Sequence, residues 1–304
     1  MKVIVPFLLL ATCMTLHGQK VEVMEWMSTA TAQPAKLQSS GAEWLPAFRL
    51  ALRALPEKDI VALSLSQPQM LGLSKQDAAS LHRLTQERYA LMSSDAAFQK
   101  AVSALGYCYQ ETRPTEGLAT VYVPRQMSAK TQTLVFVHGF GGSFLWYLHV
   151  LAEGFPDALI ICPAYGIDTS RIPADYLQEC MVEATKRFGP TSGRPYLIGL
   201  SAGGFGACRA YASSPAIWSR MICLAAYAPE DTARSFVKGM DLKFLSGGDE
   251  FFARDGRMAR GAQQASQQGA VAEARTIPGS GHFFLLEKRE ETVAVLQEWI
   301  NRPQ

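Results

Sequence analysis

Residues 196–206 read YLIGLSAGGFG. A short apolar run, Tyr196-Leu197-Ile198, enters Gly199-Leu200-Ser201-Ala202-Gly203, and a helical pattern continues to about residue 213. The order is strand, sharp turn, helix, with a serine at the apex. Small residues two positions to either side of Ser201 have a steric reason: on so tight a turn, side chains there would collide with neighbouring backbone. The turn also leaves the amide of Ala202 in the first turn of a helix. Backbone N–H groups have no internal partner there and can hold a developing negative charge. A Gly-rich connection with an incidental serine reads the same way, so the decision passes to the rest of the chain.

Outward from this elbow, short apolar runs alternate with amphipathic stretches. Strands are expected at 118–123, 134–137, 158–162, 196–200, 221–226, 242–245 and 271–277, and helices at 145–153, 175–188, 202–213, 258–268 and 290–300. Such alternation makes βαβ units, an α/β fold with a mainly parallel sheet and helices on both faces. Ligands of such sheets bind beyond the carboxyl ends of the strands.

A nucleophilic serine needs a base, an orienting acid and an oxyanion hole. The chain has five histidines. His17 lies in the N-terminal apolar segment, His82 among charged residues of a helix, His138 at a strand end and His149 inside a helix. His282 alone follows the last strand, in the flexible Pro278-Gly279-Ser280-Gly281-His282 loop, and is the candidate base. For the acid, Leu245-Ser246-Gly247-Gly248-Asp249-Glu250 follows the penultimate strand, where glycines let the chain turn. Asp249 is the choice, with its neighbour Glu250 and the pair Glu230 and Asp231 as alternatives. His138-Gly139-Phe140-Gly141-Gly142 supplies the other side of the hole, with the amides of Phe140 and Ala202 as donors and Gly141 as fallback for the first. His138 then braces the loop.

HGFGG, GLSAG, GGDE and SGH, in that order and at strand ends, resemble the α/β-hydrolase fold over residues 118–300. In that fold the acid lies between serine and histidine in chain order. The GLSAGG elbow is similar to those of polyhydroxyalkanoate-depolymerase-like and feruloyl-esterase-like secreted esterases. The resemblance implies a carboxylic-ester hydrolase that works through an acyl-enzyme with a Ser201-His282-Asp249 triad, without metal or organic cofactor. A serine peptidase or amidase on the same fold, and a non-catalytic binding protein retaining it, are the alternatives. Phe205, Phe251 and Phe283, with Gly141, are expected along a pocket for a small-molecule or polymeric ester.

Composition sets the surroundings. The 304 residues carry a net charge of +2 and no basic stripe with interleaved aromatics, which excludes a nucleic-acid partner. Lys2 and the uncharged run to Leu16 predict a signal peptide over 1–18 and export to the periplasm or medium. Cys13, in a lipoprotein-like LATC context, would instead give a membrane anchor. A linker is expected over 19–41, a helical segment over 42–106 and the catalytic domain over 107–304. The helical segment shows a capping box at Ser74 and Asp77, with Leu81, Leu84 and Leu91 on one face. A further helix is expected from Ser94, carrying Phe98, Val102 and Leu105. No chemistry shows in it, so truncation through about Leu73 is expected to leave activity on small esters largely unchanged, provided the protein stays folded. With only 227–241 between adjacent strands, no large cap is expected, and the serine should lie in an open groove unless the 42–105 helices cover it. Five cysteines beyond Cys13 show no metal spacing, and an oxidising compartment would allow one disulfide among them.

Overall fold

The computed structural model describes residues 18–34, 43–68 and 73–302. The signal-like run through residue 17, Cys13 included, residues 35–41 of the expected linker and residue 42 lie outside them. The described residues form one eight-stranded sheet of order β1-β2-β4-β3-β5-β6-β7-β8. Its strands are β1 (Lys20–Met27), β2 (Glu116–Val123), β3 (Thr133–Val137), β4 (Leu159–Ala164), β5 (Tyr196–Leu200), β6 (Arg220–Leu224), β7 (Asp241–Gly247) and β8 (Val271–Ile277). The pairs β1–β2 and β2–β4 are antiparallel, and every pair from β4 to β8 is parallel.

The helices are α1 (Leu45–Ala54), α2 (Glu57–Leu65), α3 (Lys75–Ser94), α4 (Leu105–Cys108), α5 (Leu145–Gly154) and α6 (Ala174–Phe188). They continue with α7 (Ala202–Ser213), α8 (Glu230–Ala233), α9 (Phe251–Arg254), α10 (Arg257–Gln267), α11 (Phe284–Glu287) and α12 (Arg289–Asn301). Period-two alternation splits the core between the faces of the sheet. Leu134, Phe136, Ile160, Ile198 and Ile222 pack with α3, α5 and α12. Val135, Val137, Ile161, Leu197 and Met221 pack with α6, α7 and α10. Fully buried strands covered on both faces explain why the central strands read as continuous apolar runs.

The N-terminal segment departs from expectation in three places. Residues 20–27, expected within a linker, are the edge strand β1, with Met24 and Trp26 buried. Glu22 on that edge pairs with Lys20 and Arg187, charges that discourage further strand addition. Ser74 caps α3 as expected, its hydroxyl accepting from the Asp77 amide at 3.0 Å. The buried face of α3, however, carries Leu81, Tyr89 and Met92, and Leu91 is exposed. No helix starts at Ser94: α3 runs through it and stops at Asp95, whose backbone is extended and whose carboxylate accepts from the Ala97 amide at 2.8 Å.

The segment is also no detachable preface. Leu45, Ile60, Leu105, Tyr107, Cys108 and Tyr109 form a third cluster with Ala164 and Ile167, at the carboxyl end of β4. Deeper in, Arg88 of α3 bonds Nδ1 of buried His149 at 3.0 Å and pairs with Glu153 at 2.5 Å, both on α5. Leu45 and Ile60 of the third cluster lie within the residues through Leu73, so the proviso that a truncated protein stays folded bears directly on that expectation. Cys108, Cys162, Cys180, Cys208 and Cys223 are all buried free thiols. No helix of the described residues is long and apolar enough to cross a membrane.

Candidate active site

β5 delivers Ser201 to the head of α7. The residue sits at φ 54°, ψ −118°, a conformation that costs a non-glycine residue about 1–3 kcal/mol. Its amide donates to Leu224 O at 2.8 Å and its carbonyl accepts from Gly204 N at 2.8 Å, which hold it there. A methyl group on Gly203 would stand 2.2 Å from Val137 O, so α7 packs this closely on the end of β3 only because that position has no side chain. The serine is half-buried, and the Ala202 amide lies in the first turn of α7.

The glycine loop after β3 runs beside the serine: a Cβ on Gly139 would stand 3.4 Å from Ser201 Cβ. Its donors are now separable. The Gly141 amide donates to Ile167 O at 2.8 Å and is committed to the backbone. The Phe140 amide has no acceptor among the described residues, and the Phe140 ring is 63% exposed. Gly141 and Gly142 hold positive φ of 99° and 122°. The Gly141 carbonyl accepts from Tyr109 Oη at 2.8 Å, a tie from the N-terminal segment that the sequence does not advertise.

His138 is fully enclosed beneath this loop. Its Nε2 accepts from the Tyr165 amide at 3.2 Å, so the ring proton sits on Nδ1 and is donated to Gly139 O at 2.8 Å. Burial pushes its pKa down to about 4. It is therefore neutral at ordinary pH and braces the loop, and Thr169 Oγ1 donates to its carbonyl.

His282 follows β8 and is partly exposed. Its Nδ1 lies 2.8 Å from Oε2 of Glu250, whose side chain is 8% exposed. The carboxylate bonded to His282 is thus Glu250, the named alternative, and not the expected Asp249. The Asp249 amide donates to Ser280 O at 2.9 Å and that of Gly248 to Ile277 O at 2.8 Å. These bonds pin the turn after β7 with Asp249 on the solvent side and Glu250 facing inward. The other alternative is also elsewhere: Asp231 accepts from its neighbour Thr232 at 2.8 Å in the first turn of α8. The structure thus brings Glu250 and His282 together and leaves Asp249 outside.

Aromatic residues gather beside this pair. Phe205, one turn after Ser201, packs edge-on against Tyr227 at 5.1 Å and Phe252 at 5.8 Å between ring centroids. Arg257 lies over the rings of Phe251 and Phe252, each at 4.7 Å, held by Asp255 at 2.6 Å. Its charge is matched by that carboxylate, and the guanidinium also lies over the Tyr227 ring at 5.0 Å. Phe283 stands edge-on to His282 at 5.4 Å. Tyr227 is the member of this group that the sequence reading missed, because it follows β6 in sequence with no motif of its own. Among the described residues no group of three or more His, Cys, Asp and Glu is placed to hold a metal ion. A cleft of about 320 Å³ lined by Lys130, Phe155, Asp157 and Gln297 lies at the amino ends of β3 and β4 and contains none of these residues.

No protein-family model matches the chain, and no curated protein matches it. Solved structures do. A hyperthermophilic esterase from the archeon Pyrobaculum calidifontis is 15% identical, with 60% of this chain and 80% of that one covered at a TM-score of 0.50. A thermostable esterase is 15% identical at a TM-score of 0.48, and the match covers 60% of this chain but only 58% of that one, just over half its length. The poly(3-hydroxybutyrate) depolymerase LpqC from Bordetella parapertussis is 15% identical, with 62% and 86% covered at a TM-score of 0.48. With its strand order, its serine elbow and a histidine loop after the last strand, the chain has the α/β-hydrolase fold.

Proposed function

We propose that the chain is a serine hydrolase of carboxylic esters, with Ser201 as nucleophile, His282 as base and Glu250 as the orienting acid. The 2.8 Å bond between His282 and a buried carboxylate, beyond the strand ends that also carry a strained serine, is the observation that supports it best. Ser201 Oγ attacks the ester carbonyl while His282 Nε2 takes its proton, and Glu250 fixes the Nδ1–H tautomer and stabilises the imidazolium. The amides of Phe140 and Ala202 receive the oxyanion, a contribution of about 3 kcal/mol per donor. His282 returns the proton to the leaving alcohol. Water then cleaves the acyl-enzyme by the same route. Phe205, Phe251 and Phe283 would line the acyl side, since such pockets are mostly apolar.

Labelling with a fluorophosphonate probe, followed by a panel of short-chain, long-chain and aromatic esters with one matched amide, tests the reading. Ser201→Ala should abolish both labelling and turnover. Labelling retained in that variant would place the nucleophile elsewhere, and equal turnover of the amide would make the enzyme a peptidase or amidase. Export rests on the Lys2–Leu16 pattern alone; native protein with an intact Met1 would overturn it, and a lipidated Cys13 would convert it to membrane anchoring.

A further inference from the structure

Glu57, the first residue of α2, is 7% exposed and has no charge partner among the described residues. Its Oε1 accepts from Tyr89 Oη at 2.7 Å and from the Leu145 amide at 2.8 Å. Oε2 accepts from Ser103 Oγ, and that oxygen in turn accepts from the Leu105 amide at 3.1 Å. A buried carboxylate is costly unless its lone pairs are filled, and here three donors fill them. Desolvation still raises its pKa to about 7.

The positions of those donors give the arrangement its meaning. Leu145 opens α5 and ends the loop that begins with His138, so Glu57 occupies the N-terminal end of that helix, where backbone amides lack partners. Leu105 opens α4, whose far end leads into Tyr109, the residue that holds Gly141 O. A Cβ on Gly142 would stand 2.6 Å from Leu105 Cδ1, so the same short helix presses directly on the loop. One carboxylate therefore fixes the loop by two routes, at Leu145 directly and at Gly141 through Ser103, α4 and Tyr109.

We infer that Glu57 is a positioning residue of the active site, holding the 139–145 loop so that the Phe140 amide points at the developing oxyanion. The N-terminal segment is on this account a working part of the site. This inference rests on the oxyanion role of Phe140 proposed above. Displacements of about 1 Å in such a donor cost on the order of 10²-fold in rate.

Three variants, Glu57→Ala, Glu57→Asp and Glu57→Gln, are measured by steady-state turnover of a short-chain ester and by amide hydrogen exchange. Glu57→Ala should lower kcat by roughly 10- to 100-fold with KM within about threefold, and should speed exchange in the 139–146 peptide but not in the Ser201 elbow. Glu57→Asp, which withdraws the carboxylate by one methylene, should move both readouts the same way to a smaller extent and carries the test if the alanine variant does not fold. Glu57→Gln keeps an acceptor for Leu145 and Tyr89 and should restore kcat to within about threefold. Wild-type kcat and exchange in the folded alanine or aspartate variant would overturn the inference. So would exchange that rises uniformly along the chain, or a glutamine variant as impaired as alanine. If the wild-type protein fails to label at Ser201, the functional reading has failed on its own, and the exchange arm still decides whether Glu57 holds the loop.

Discussion

Replacing Glu250 by glutamine is the sharpest test of the site. The carboxylate is buried and bonds His282 Nδ1 at 2.8 Å. On the proposed mechanism it accepts Nδ1–H in the resting state and so leaves the Nε2 lone pair free for the serine proton. When His282 becomes imidazolium it faces the carboxylate across that 2.8 Å bond, and charges delocalised over the two groups are treated as centred about 4 Å apart. At an effective dielectric of 20 their attraction is about 4 kcal/mol, a factor of about 10³ in rate. Glutamine removes that charge, and if its NH2 faces the ring it also forces the proton onto Nε2, the wrong tautomer. The corresponding Asp→Asn change in a serine protease costs about 10⁴ in kcat, which sets the upper end. Glu250→Gln should therefore lose about 10³- to 10⁴-fold in kcat on a chromogenic short-chain ester, with sites counted by fluorophosphonate titration. Asp249→Asn, on the solvent side of the turn, should stay within about threefold. A Glu250→Gln enzyme within tenfold of the parent, or an Asp249→Asn enzyme as impaired as Glu250→Gln, would refute the assignment.

Gly203→Ala should abolish folding or labelling, because its methyl would stand 2.2 Å from Val137 O, an overlap with backbone worth about 3 kcal/mol or more; a soluble, fully labelled variant would contradict the close packing of α7 on β3. Removal of residues 1–73 takes Met24, Trp26, Leu45, Ile60, Val61 and Leu65 out of the core. At about 1.5–3 kcal/mol each this is about 9–18 kcal/mol, as large as the whole stability of a typical domain, so insoluble protein is expected and an active soluble truncation would refute it. Burial raises the Glu57 pKa from 4.5 to about 7, so the folded state binds the proton more tightly than the unfolded one. Its contribution is fully present below pH 4.5 and lost as pH rises through 7, about 3 kcal/mol in all. His138 runs the other way: lowered from 6.5 to about 4, it stabilises above pH 6.5 and loses that contribution as pH falls through 4. Urea midpoints of Glu57→Gln relative to the parent should therefore climb between pH 4.5 and 8, and a flat difference would contradict the buried carboxylate.

Much of this was legible in the chain because it is local. An apolar run into Gly199-Leu200-Ser201-Ala202-Gly203 has few conformations open to it, and the αβ alternation around it dictates a parallel sheet covered on both faces. The histidine that the structure places beside Glu250 could be singled out by elimination, since only His282 follows the last strand. The rest depended on contacts between residues far apart in sequence. Trp26 and Met24 are buried because β1 finds β2 some ninety residues on, and a polar linker pattern around them hid an eight-residue strand. Asp249 and Glu250 are chemically alike and adjacent, so local pattern does not rank them. What ranks them is the pair of bonds from Gly248 and Asp249 to the backbone of residues 277 and 280, which turns one carboxylate outward and the next toward His282. Glu57 left no trace in the sequence beyond a helix start, because its meaning lies in Tyr89, Ser103 and Leu145, which only the folded chain brings to one carboxylate.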